Sequence, residues 1–211
     1  MKDLIIVGAG NAAREVLQIV KDINRERLTW NLKGFIADTG LDMNTLTKGD
    51  FNILCTIEEW CPKPNEEYTC AIADPFGRQL VVEKLLNRGA KFVNIVHPTA
   101  RLNDYCELGE GIVMYPYSSV GSNACLGNYV FLQSTTVAHD VSVGDFTTIS
   151  SLCGILGRVK LGKRVFVGNH ATIVPKVSIG DDAYIGAGSV VIRNVKAGTK
   201  VFGNPARRVD F

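Results

Sequence analysis

Aliphatic residues recur at every sixth position along the second half of the chain. They form two runs, separated by a single five-residue step between Leu132 and Val137. The positions are Val96, Leu102, Leu108, Met114, Val120, Leu126 and Leu132, then Val137, Val143, Ile149, Ile155, Leu161, Val167, Ile173, Ile179, Ile185, Val191 and Ala197. Every one of these positions is apolar, so the pattern indicates a stack of identical structural units.

A second set of positions refines the repeat. The residue four places after each aliphatic one is small or β-branched, as at Cys106, Ala124 and Val201, and Gly often follows the aliphatic residue directly. We interpret each hexad as a short strand plus a corner that Gly allows, and three hexads as one triangular coil. The prediction is a parallel β-helix of about six coils with an aliphatic interior. Hexapeptide patterns are typical of left-handed coils, although the period alone does not fix the hand.

The first part of the chain follows a different pattern. Strands are predicted at Leu4–Gly8, Leu32–Asp38 and Cys70–Asp74, with helices from about Asn11 to Ile23 and from Pro75 to about Arg88. Asp74 is placed to cap the second helix, and Pro75 to begin it. Alternating strands and helices predict a small Rossmann-like α/β domain with a parallel sheet at residues 1–92, followed by the β-helix at 93–211.

Composition and charge exclude several classes of protein. Of 211 residues, 46% are hydrophobic and 21% charged, and the formal net charge is +2, with the basic residues scattered. We therefore expect no nucleic-acid partner. An 18-residue apolar run and a signal-peptide pattern are both absent from the sequence, so we expect no membrane insertion and a cytoplasmic location. The six cysteines show neither a CxxC pair nor metal-finger spacing, and Cys106 and Cys153 fall at inward packing positions; no metal is expected.

The sequence GAGNAA (Gly8–Ala13) raises two alternatives for the first domain. G-x-G-x-x-A between a strand and a helix is a dinucleotide fingerprint, and Asp38 ends the next strand, where a ribose-binding acid is expected. The same backbone amides would equally bind the pyrophosphate of a nucleotide sugar. The short domain and the attached β-helix favour the nucleotide sugar over NAD. Gly8, Gly10 and Asn11 are then predicted phosphate contacts, and Asp38 a contact to uridine or ribose.

Several segments together carry a resemblance to a known family. These are the hexads, HDVSVGDF (His139–Phe146), IGAGSVV (Ile185–Val191), GNPARRV (Gly203–Val209) and the N-terminal GAGNAAREV. Over essentially its whole length the chain resembles the left-handed β-helix sugar O- and N-acetyltransferases. Within them it is similar to the sialic-acid O-acetyltransferases and the bacillosamine-pathway nucleotide-amino-sugar N-acetyltransferases. The resemblance implies a homotrimer with active sites between adjacent β-helices, acetyl-CoA as co-substrate, and a nucleotide-activated sugar held by the N-terminal domain.

Acetyl transfer from a thioester needs a base, and the chain has three histidines. His97 lies at the domain junction before a proline, which favours a structural role. His170 falls on a different face from His139, either in a CoA cleft or exposed to solvent. His139 is followed by Asp140, and the resemblance implies that this pair is the general base with its acidic partner, where the acid fixes the imidazole tautomer.

Coil arithmetic predicts the neighbours of His139. Gly157 is eighteen residues further on and should stack on His139, where a missing side chain leaves room for a thioester and the N–H group for its oxyanion. Asn169 and Ala187 also differ by eighteen. By the resemblance, the positions of Gly157, Asn169 and Ala187 contact acetyl-CoA, and both sets are expected on one small surface.

The leading hypothesis is N-acetylation of a nucleotide-linked amino sugar, a UDP-4-amino-4,6-dideoxy hexose, by direct attack with His139 as base. The alternative is O-acetylation of a sialic acid or related sugar. A non-enzymatic assembly factor and an NAD-binding regulator are further alternatives. Two positions depart from the family pattern, because Ala12 and Thr148 stand where many and some members, respectively, have histidines. These departures leave the identity of the sugar open.

Overall fold

The computed structural model describes residues 1–209, so the last two residues of the predicted second domain lie outside the described residues. The chain divides into two compact units, Met1–Pro98 and Thr99–Phe211. The predicted division fell after residue 92. The short strand Ile95–Val96 belongs with the first unit. In the same segment, His97 Nε2 lies 3.4 Å from Asp22 Oδ2 of the first unit.

The first unit contains a four-stranded parallel sheet. Its strands are β1 (Lys2–Ala9), β2 (Trp30–Gly40), β3 (Ile53–Cys55) and β4 (Glu66–Cys70), in the order β3-β2-β1-β4. The alternation of strands and helices thus gives the parallel sheet that the sequence predicts. Strand β1 is central and buried from Leu4 onward, as its continuous apolar run requires.

The predicted strand Cys70–Asp74 is wrong. Strand β4 ends at Cys70, where its ladder with Val7 of β1 also ends. Beyond it, the carbonyl oxygens of Ile72 and Ala73 accept hydrogen bonds from the buried Arg78 side chain, at 2.7 and 3.1 Å from Nη1. The segment is apolar from Ala71 to Ala73 and fully buried only at Ala71, and it forms a loop that the Arg78 side chain holds in place.

Three helices complete this unit: α1 (Asn11–Glu26), α2 (Met43–Leu46) and α3 (Pro75–Leu86). Helix α1 buries a face spaced at helical intervals, Ala13, Val16, Leu17 and Val20. Helix α3 begins as predicted, because the Asp74 carboxylate accepts a hydrogen bond from Gly77 N at 2.6 Å. No helix among residues 1–209 is both long enough and apolar enough to cross a bilayer.

The second unit is a parallel β-helix whose strands have two residues each, except the three-residue β22. After β5 (Ile95–Val96), the strands are β6 (Arg101–Leu102), β7 (Glu107–Leu108), β8 (Val113–Met114), β9 (Ser119–Val120), β10 (Cys125–Leu126), β11 (Phe131–Leu132), β12 (Thr136–Val137), β13 (Ser142–Val143), β14 (Thr148–Ile149), β15 (Gly154–Ile155), β16 (Lys160–Leu161), β17 (Phe166–Val167), β18 (Thr172–Ile173), β19 (Ser178–Ile179), β20 (Tyr184–Ile185), β21 (Val190–Val191), β22 (Lys200–Phe202) and β23 (Arg207–Arg208).

These strands form three faces. The first face is β6-β9-β12-β15-β18-β21, the second is β7-β10-β13-β16-β19, and the third includes β8-β11-β14-β17-β20-β22-β23. The predicted count of about six coils differs slightly from the structure, since the first face has six strands and the second has five. All pairs in the faces are parallel except β22 with β23, which pair antiparallel at the C-terminal end.

The predicted inward positions are buried throughout the middle of the β-helix, from Met114 to Val191. Two predictions at the ends are wrong. Leu102 is 42% exposed, because β6 is the terminal strand of its face. Ala197 is exposed, and Val195 takes the place beside Ile179. Cys153 is buried and its thiol donates to Gly168 O, so it is a packing residue as predicted.

The glycines after the aliphatic positions act differently from the prediction. Gly144, for example, does not have a positive φ; a Cβ there would lie 2.5 Å from the Gly162 carbonyl carbon of the next coil. Such glycines permit close stacking of coils. The left-handed corner conformation belongs mostly to non-glycine residues, including Asn123, Asp140 and Arg158, with φ of 58°, 58° and 63°. Glycines adopt it at positions 111, 188 and 198.

The five-residue step is absorbed by one corner. Residues 133–135 connect β11 to β12, and Ser134 has a φ of only 32°. Thr135 turns inward, and its hydroxyl donates to Cys153 O at 2.6 Å. Strand β12 nevertheless pairs in register with Ser119 and Gly154 on its two sides. The missing residue therefore shortens a corner and leaves the face regular.

Candidate active site

His139 lies at the corner between the first and second faces, directly after β12 and before β13. Residues one coil apart at the same corner form a column. Two backbone hydrogen bonds define the column of His139: Asp140 N donates to Ser122 O, and Arg158 N donates to His139 O. Its members on either side of His139 are Ser122 and Gly157. The shortened corner therefore places Ser122, seventeen residues earlier, beside His139.

Asp140 holds the imidazole of His139 from the next position in the corner. His139 Nδ1 lies 2.8 Å from Asp140 Oδ2. A carboxylate can only accept, so Nδ1 carries the hydrogen and Nε2 is left with its lone pair. Both side chains are exposed, with relative side-chain accessibilities of 62% and 39%, so Nε2 can be reached by a substrate.

The surroundings keep Asp140 ionised. The hydrogen bond from His139 is the main cause that lowers the pKa of Asp140 below its ordinary 3.8, with the charge of Arg158 acting in the same direction. Arg158 Nε lies 3.6 Å from Asp140 Oδ2, and Asn123 Nδ2 lies 3.5 Å from Oδ1. The carboxylate is thus fixed toward the imidazole by neighbours from the coils on both sides.

Gly157 lies directly against the imidazole of His139. A Cβ at this position would lie 2.7 Å from both Cε1 and Nε2 of His139, so the ring packs where a side chain would stand. The eighteen-residue count therefore correctly predicts that these two residues stack. An exposed base with an acidic partner can accept a proton from a nucleophile that reaches Nε2.

On the opposite side of His139 lies a cleft of about 390 Å³. Its lining is small and polar: Arg101, Asn103, Ser119, Val120, Gly121, Ser122, Thr136, Val137, Ala138 and His139. The sequence analysis did not identify Arg101 or Asn103. They stand at ordinary surface positions of the repeat, and only the stacking of β6, β9 and β12 brings them onto the His139 side of the first face.

The predicted substrate residues of the first unit lie around one cavity. Gly8, Gly10, Asn11 and Asp38 all line a space of about 530 Å³ at the carboxyl ends of β1 and β2. Gly8 has a φ of 99°, and Gly10 precedes α1 without a side chain that could cap it. The first-turn amides of α1 are therefore suited to an anion. Asp38 Oδ1 accepts from Glu58 N at 3.2 Å, which fixes the carboxylate at the rim.

Asn169 and Ala187 do not lie with His139. They are exposed and one coil apart, since Gly188 N donates to Asn169 O, but their corner joins the third face to the first. The expectation of one small surface is therefore wrong for a single chain. A separation of eighteen residues shows that two residues lie in the same column. It does not show whether two different columns lie at the same corner of the β-helix.

The other two histidines, His97 and His170, lie away from the corner of His139. His97 is buried, with Nε2 3.4 Å from Asp22 Oδ2, in agreement with a structural role. His170 is exposed at the corner of Asn169, away from that of His139. Among residues 1–209, no group of three or more His, Cys, Asp or Glu side chains is arranged to hold a metal ion.

Comparisons with known proteins agree with this architecture. Residues 158–193 match the family model "Bacterial transferase hexapeptide (six repeats)". A GDP-perosamine N-acetyltransferase of Escherichia coli O157:H7 is 32% identical over 213 residues, covering 97% of this chain and 95% of that protein.

Solved structures show the same fold over nearly the whole chain. The acetyltransferase domain of PglB from Neisseria gonorrhoeae superposes with a TM-score of 0.89 at 23% identity, covering 99% of this chain and 100% of that one. WeeI from Acinetobacter baumannii gives 0.86 at 24%, with the same coverage. PerB from Caulobacter crescentus, in complex with CoA and GDP-perosamine, gives 0.82 at 22%, covering 100% and 98%.

These likenesses confirm the predicted Rossmann-like unit followed by a left-handed β-helix. The full-length identity of 32% goes further than fold. The chain is an acyltransferase that belongs to the hexapeptide-repeat transferase family, in its group of sugar N-acetyltransferases.

Proposed function

We propose that the protein transfers an acetyl group from acetyl-CoA to the amino group of a nucleotide-linked amino sugar. The observation that carries the proposal is the arrangement at His139: Nδ1 is held by Asp140 at 2.8 Å, and the exposed ring packs on Gly157 with Nε2 free to accept a proton. The similarity to a GDP-perosamine N-acetyltransferase over 97% of the chain supports an amine rather than a hydroxyl acceptor.

The reaction follows from the proton positions. The amine nitrogen attacks the thioester carbonyl carbon while His139 Nε2 takes one of its protons. The Gly157 N–H group donates to the oxyanion of the tetrahedral intermediate. The carbon–sulfur bond then breaks, and the CoA thiolate receives the proton from the imidazolium. The ionised Asp140 stabilises the imidazolium while it exists. No acyl-enzyme forms.

The nucleotide part of the acceptor is assigned to the cavity in the first unit. The backbone amides around Gly8, Gly10 and Asn11 would bind the pyrophosphate, and Asp38 a hydroxyl or N–H group of the nucleoside. The sequence favours a UDP-linked 4-amino-4,6-dideoxy hexose, whereas the curated relative is named for a GDP sugar. We propose the GDP-linked sugar as the first acceptor to test and the UDP-linked sugar as the second.

The different corners of His139 and Ala187 support a homotrimer. Both corners can serve one acetyl-CoA if they come from adjacent subunits, with Gly157 beside the thioester and Asn169 and Ala187 along the rest of the cofactor. Ala187→Trp and His139→Ala should each inactivate the enzyme. Coexpression of the two variants should restore roughly a quarter of the sites, since some interfaces then combine an intact residue from each chain. Activity that stays at the level of the single variants would contradict shared sites.

The main experiment measures thiol release from acetyl-CoA with a panel of acceptors: GDP- and UDP-linked 4-amino-4,6-dideoxy hexoses and free sialic acid. We expect turnover with a nucleotide amino sugar, and a kcat about 10²- to 10⁴-fold lower for His139→Ala. Comparable rates for wild type and variant would refute the assignment of the base. Turnover with sialic acid alone would instead establish the O-acetyltransferase. Since both proposed substrates are cytoplasmic metabolites, we expect the enzyme to act there.

A further inference from the structure

The 56–60 loop follows β3 directly, and the side chain of Arg88 binds its backbone. The Nη1 atom lies 3.0 Å from Ile57 O, 2.7 Å from Glu58 O and 3.4 Å from Trp60 O. The hydrogens of this nitrogen are shared among the three carbonyl oxygens, which converge on it. Hydrogen bonds from a charged donor are stronger than those between neutral groups, so one cation fixes the backbone of the loop at three points.

The same loop forms part of the cavity at the carboxyl ends of β1 and β2. Ile57 is 4% exposed and lines this cavity. The backbone N–H of Glu58 donates to Asp38 Oδ1 at 3.2 Å. Among the described residues that line the cavity, Asp38 has the only charged side chain. The position of the loop therefore sets both an apolar wall of the cavity and the orientation of its carboxylate.

Arg88 is itself held in place by the end of α3. Gly89 has a φ of 87°, the left-handed conformation that glycine adopts without strain. Its N–H donates to Leu86 O at 2.9 Å, and Ala90 N donates to Leu85 O at 3.0 Å, which together make a Schellman turn. Leu85 and Ala90 are buried, so the turn packs into the first unit. The guanidinium is thus carried by a fixed segment of backbone and can anchor the loop.

The side chain of Glu58 makes a second kind of contact with α3 and its end. Its carboxylate is 65% exposed and pairs with Arg88 Nη2 at 3.3 Å and with Lys84 Nζ. Exposed ion pairs contribute little to stability. The contact of Lys84 ends at this side chain, whereas Arg88 reaches the backbone of the loop. The two cations therefore separate the effect of the surface ion pairs from the effect of the backbone hydrogen bonds.

We propose that Arg88 is a positioning residue for nucleotide recognition, which holds the 56–60 loop so that Ile57 and Asp38 meet the nucleoside. The inference rests on the proposed function, which assigns the nucleotide to this cavity. Arg88 does not line the cavity, so it acts through the loop. Ile57 limits the width open to the base, and the Asp38 carboxylate accepts an N–H or O–H group of the nucleoside. The loop therefore sets how strongly the cavity distinguishes guanine from uracil.

The test measures the Kd of GDP and of UDP by calorimetry for the wild-type enzyme, Arg88→Met, Arg88→Lys and, as a matched control, Lys84→Met. For Arg88→Met we expect the Kd of the better-bound nucleotide to rise about tenfold, and the two Kd values to become more alike. Arg88→Lys should recover part of the loss, because it keeps the charge without the planar array of donors. Lys84→Met should bind both nucleotides like the wild type.

Turnover gives a second measurement. Arg88→Met should raise the KM for the nucleotide amino sugar, with kcat and the KM for acetyl-CoA unchanged, because the loop takes no part in the chemistry at His139. A role in stability alone would lower the unfolding temperature and leave both the KM and the nucleotide preference as they are in the wild type.

The outcomes separate this inference from the proposed function. A Kd in Arg88→Met equal to that of the wild type overturns the positioning role alone, as does an equal loss of affinity in Lys84→Met. A wild-type enzyme that binds neither nucleotide overturns the inference together with the assigned cavity. Absence of any acetylation of a nucleotide amino sugar by the wild type overturns the proposed function as well. Should Arg88→Met unfold at the assay temperature, Arg88→Lys carries the test, and a wild-type Kd in that variant then overturns the inference.

Discussion

The α-carbon of Gly157 stacks against the imidazole of His139, so that a methyl group added there would lie 2.7 Å from Nε2. The residues are eighteen apart in the sequence and adjacent in space because each coil repeats the corner of the one before. The ring can take this position only because residue 157 has no side chain. The importance of this packing is therefore open to a direct test.

Gly157→Ala should reduce activity without unfolding the protein. The added methyl group forces the exposed His139 ring out of the position that it holds beside Asp140, and φ at this position does not require glycine. We expect kcat to fall at least about tenfold, with thermal stability unchanged. The matched control is Gly154→Ala, where the nearest atom to the new Cβ would be 3.8 Å away. Equal activity in both variants would show that the packing of the imidazole on Gly157 has no catalytic role.

Asp140→Asn should weaken catalysis without removing the base. The amide no longer selects the correct imidazole tautomer or stabilises the imidazolium, so kcat measured at pH 8 should fall about 10- to 10²-fold. The pKa of Asp140 is lowered, so the carboxylate is protonated only as the pH falls below 3.8 and stays ionised in any ordinary assay. A decline of activity toward acid pH should therefore persist in the variant. Its disappearance would identify Asp140, rather than His139, as the titrating base.

Gly10→Ala tests the nucleotide cavity in the same way. A Cβ at Gly10 would meet nothing within 4 Å, and the residue's φ of −88° is accessible to alanine. The methyl group would enter the cavity itself, next to the first-turn amides of α1. We expect unchanged thermal stability and a Kd for GDP or UDP raised at least about tenfold, measured by calorimetry. Unaltered binding of both nucleotides would place the nucleotide elsewhere.

The periodicity of the sequence predicts most of the β-helix for a physical reason. A side chain that points into the prism must be apolar at every coil. The apolar character of Val137, Ile155 and Ile173 therefore predicts that they are buried, as the structure shows. The stacking of His139 on Gly157 follows from the same count, whereas the role of the His139–Asp140 pair was implied by the family resemblance.

Other features leave no periodic trace. The cleft residue Arg101 occupies an outward position that tolerates any polar side chain, and apart from Asn103 the other cleft residues come from later coils. The end of β4 was missed because the loop from Ala71 to Ala73 is as apolar as a strand. Asn169 and Ala187 lie at a different corner from His139 because they connect the third face to the first, whereas His139 connects the first face to the second. A count of residues within one column does not show which two faces that column connects.

Among residues 1–209, Arg78 is the largest fully buried side chain, and it supports the loop that lines the cavity at the carboxyl ends of β1 and β2. Its Nη1 donates to the carbonyl oxygens of Ile72 and Ala73, and Ile72 Cγ1 would lie 3.0 Å from a Cβ placed on Gly8. Burial lowers its pKa to about 10, so the guanidinium stays charged at neutral pH.

Arg78→Met should therefore destabilise the first unit, because the two carbonyl groups lose a charged donor inside the protein. We expect the free energy of unfolding to fall by about 3 kcal/mol in chemical denaturation, and the affinity for nucleotide to fall with it. Arg25→Met is the matched control: it breaks an exposed pair with Asp22 and should cost less than about 0.5 kcal/mol. A loss in Arg78→Met no larger than in this control would show that the loop after β4 holds its shape without the buried arginine.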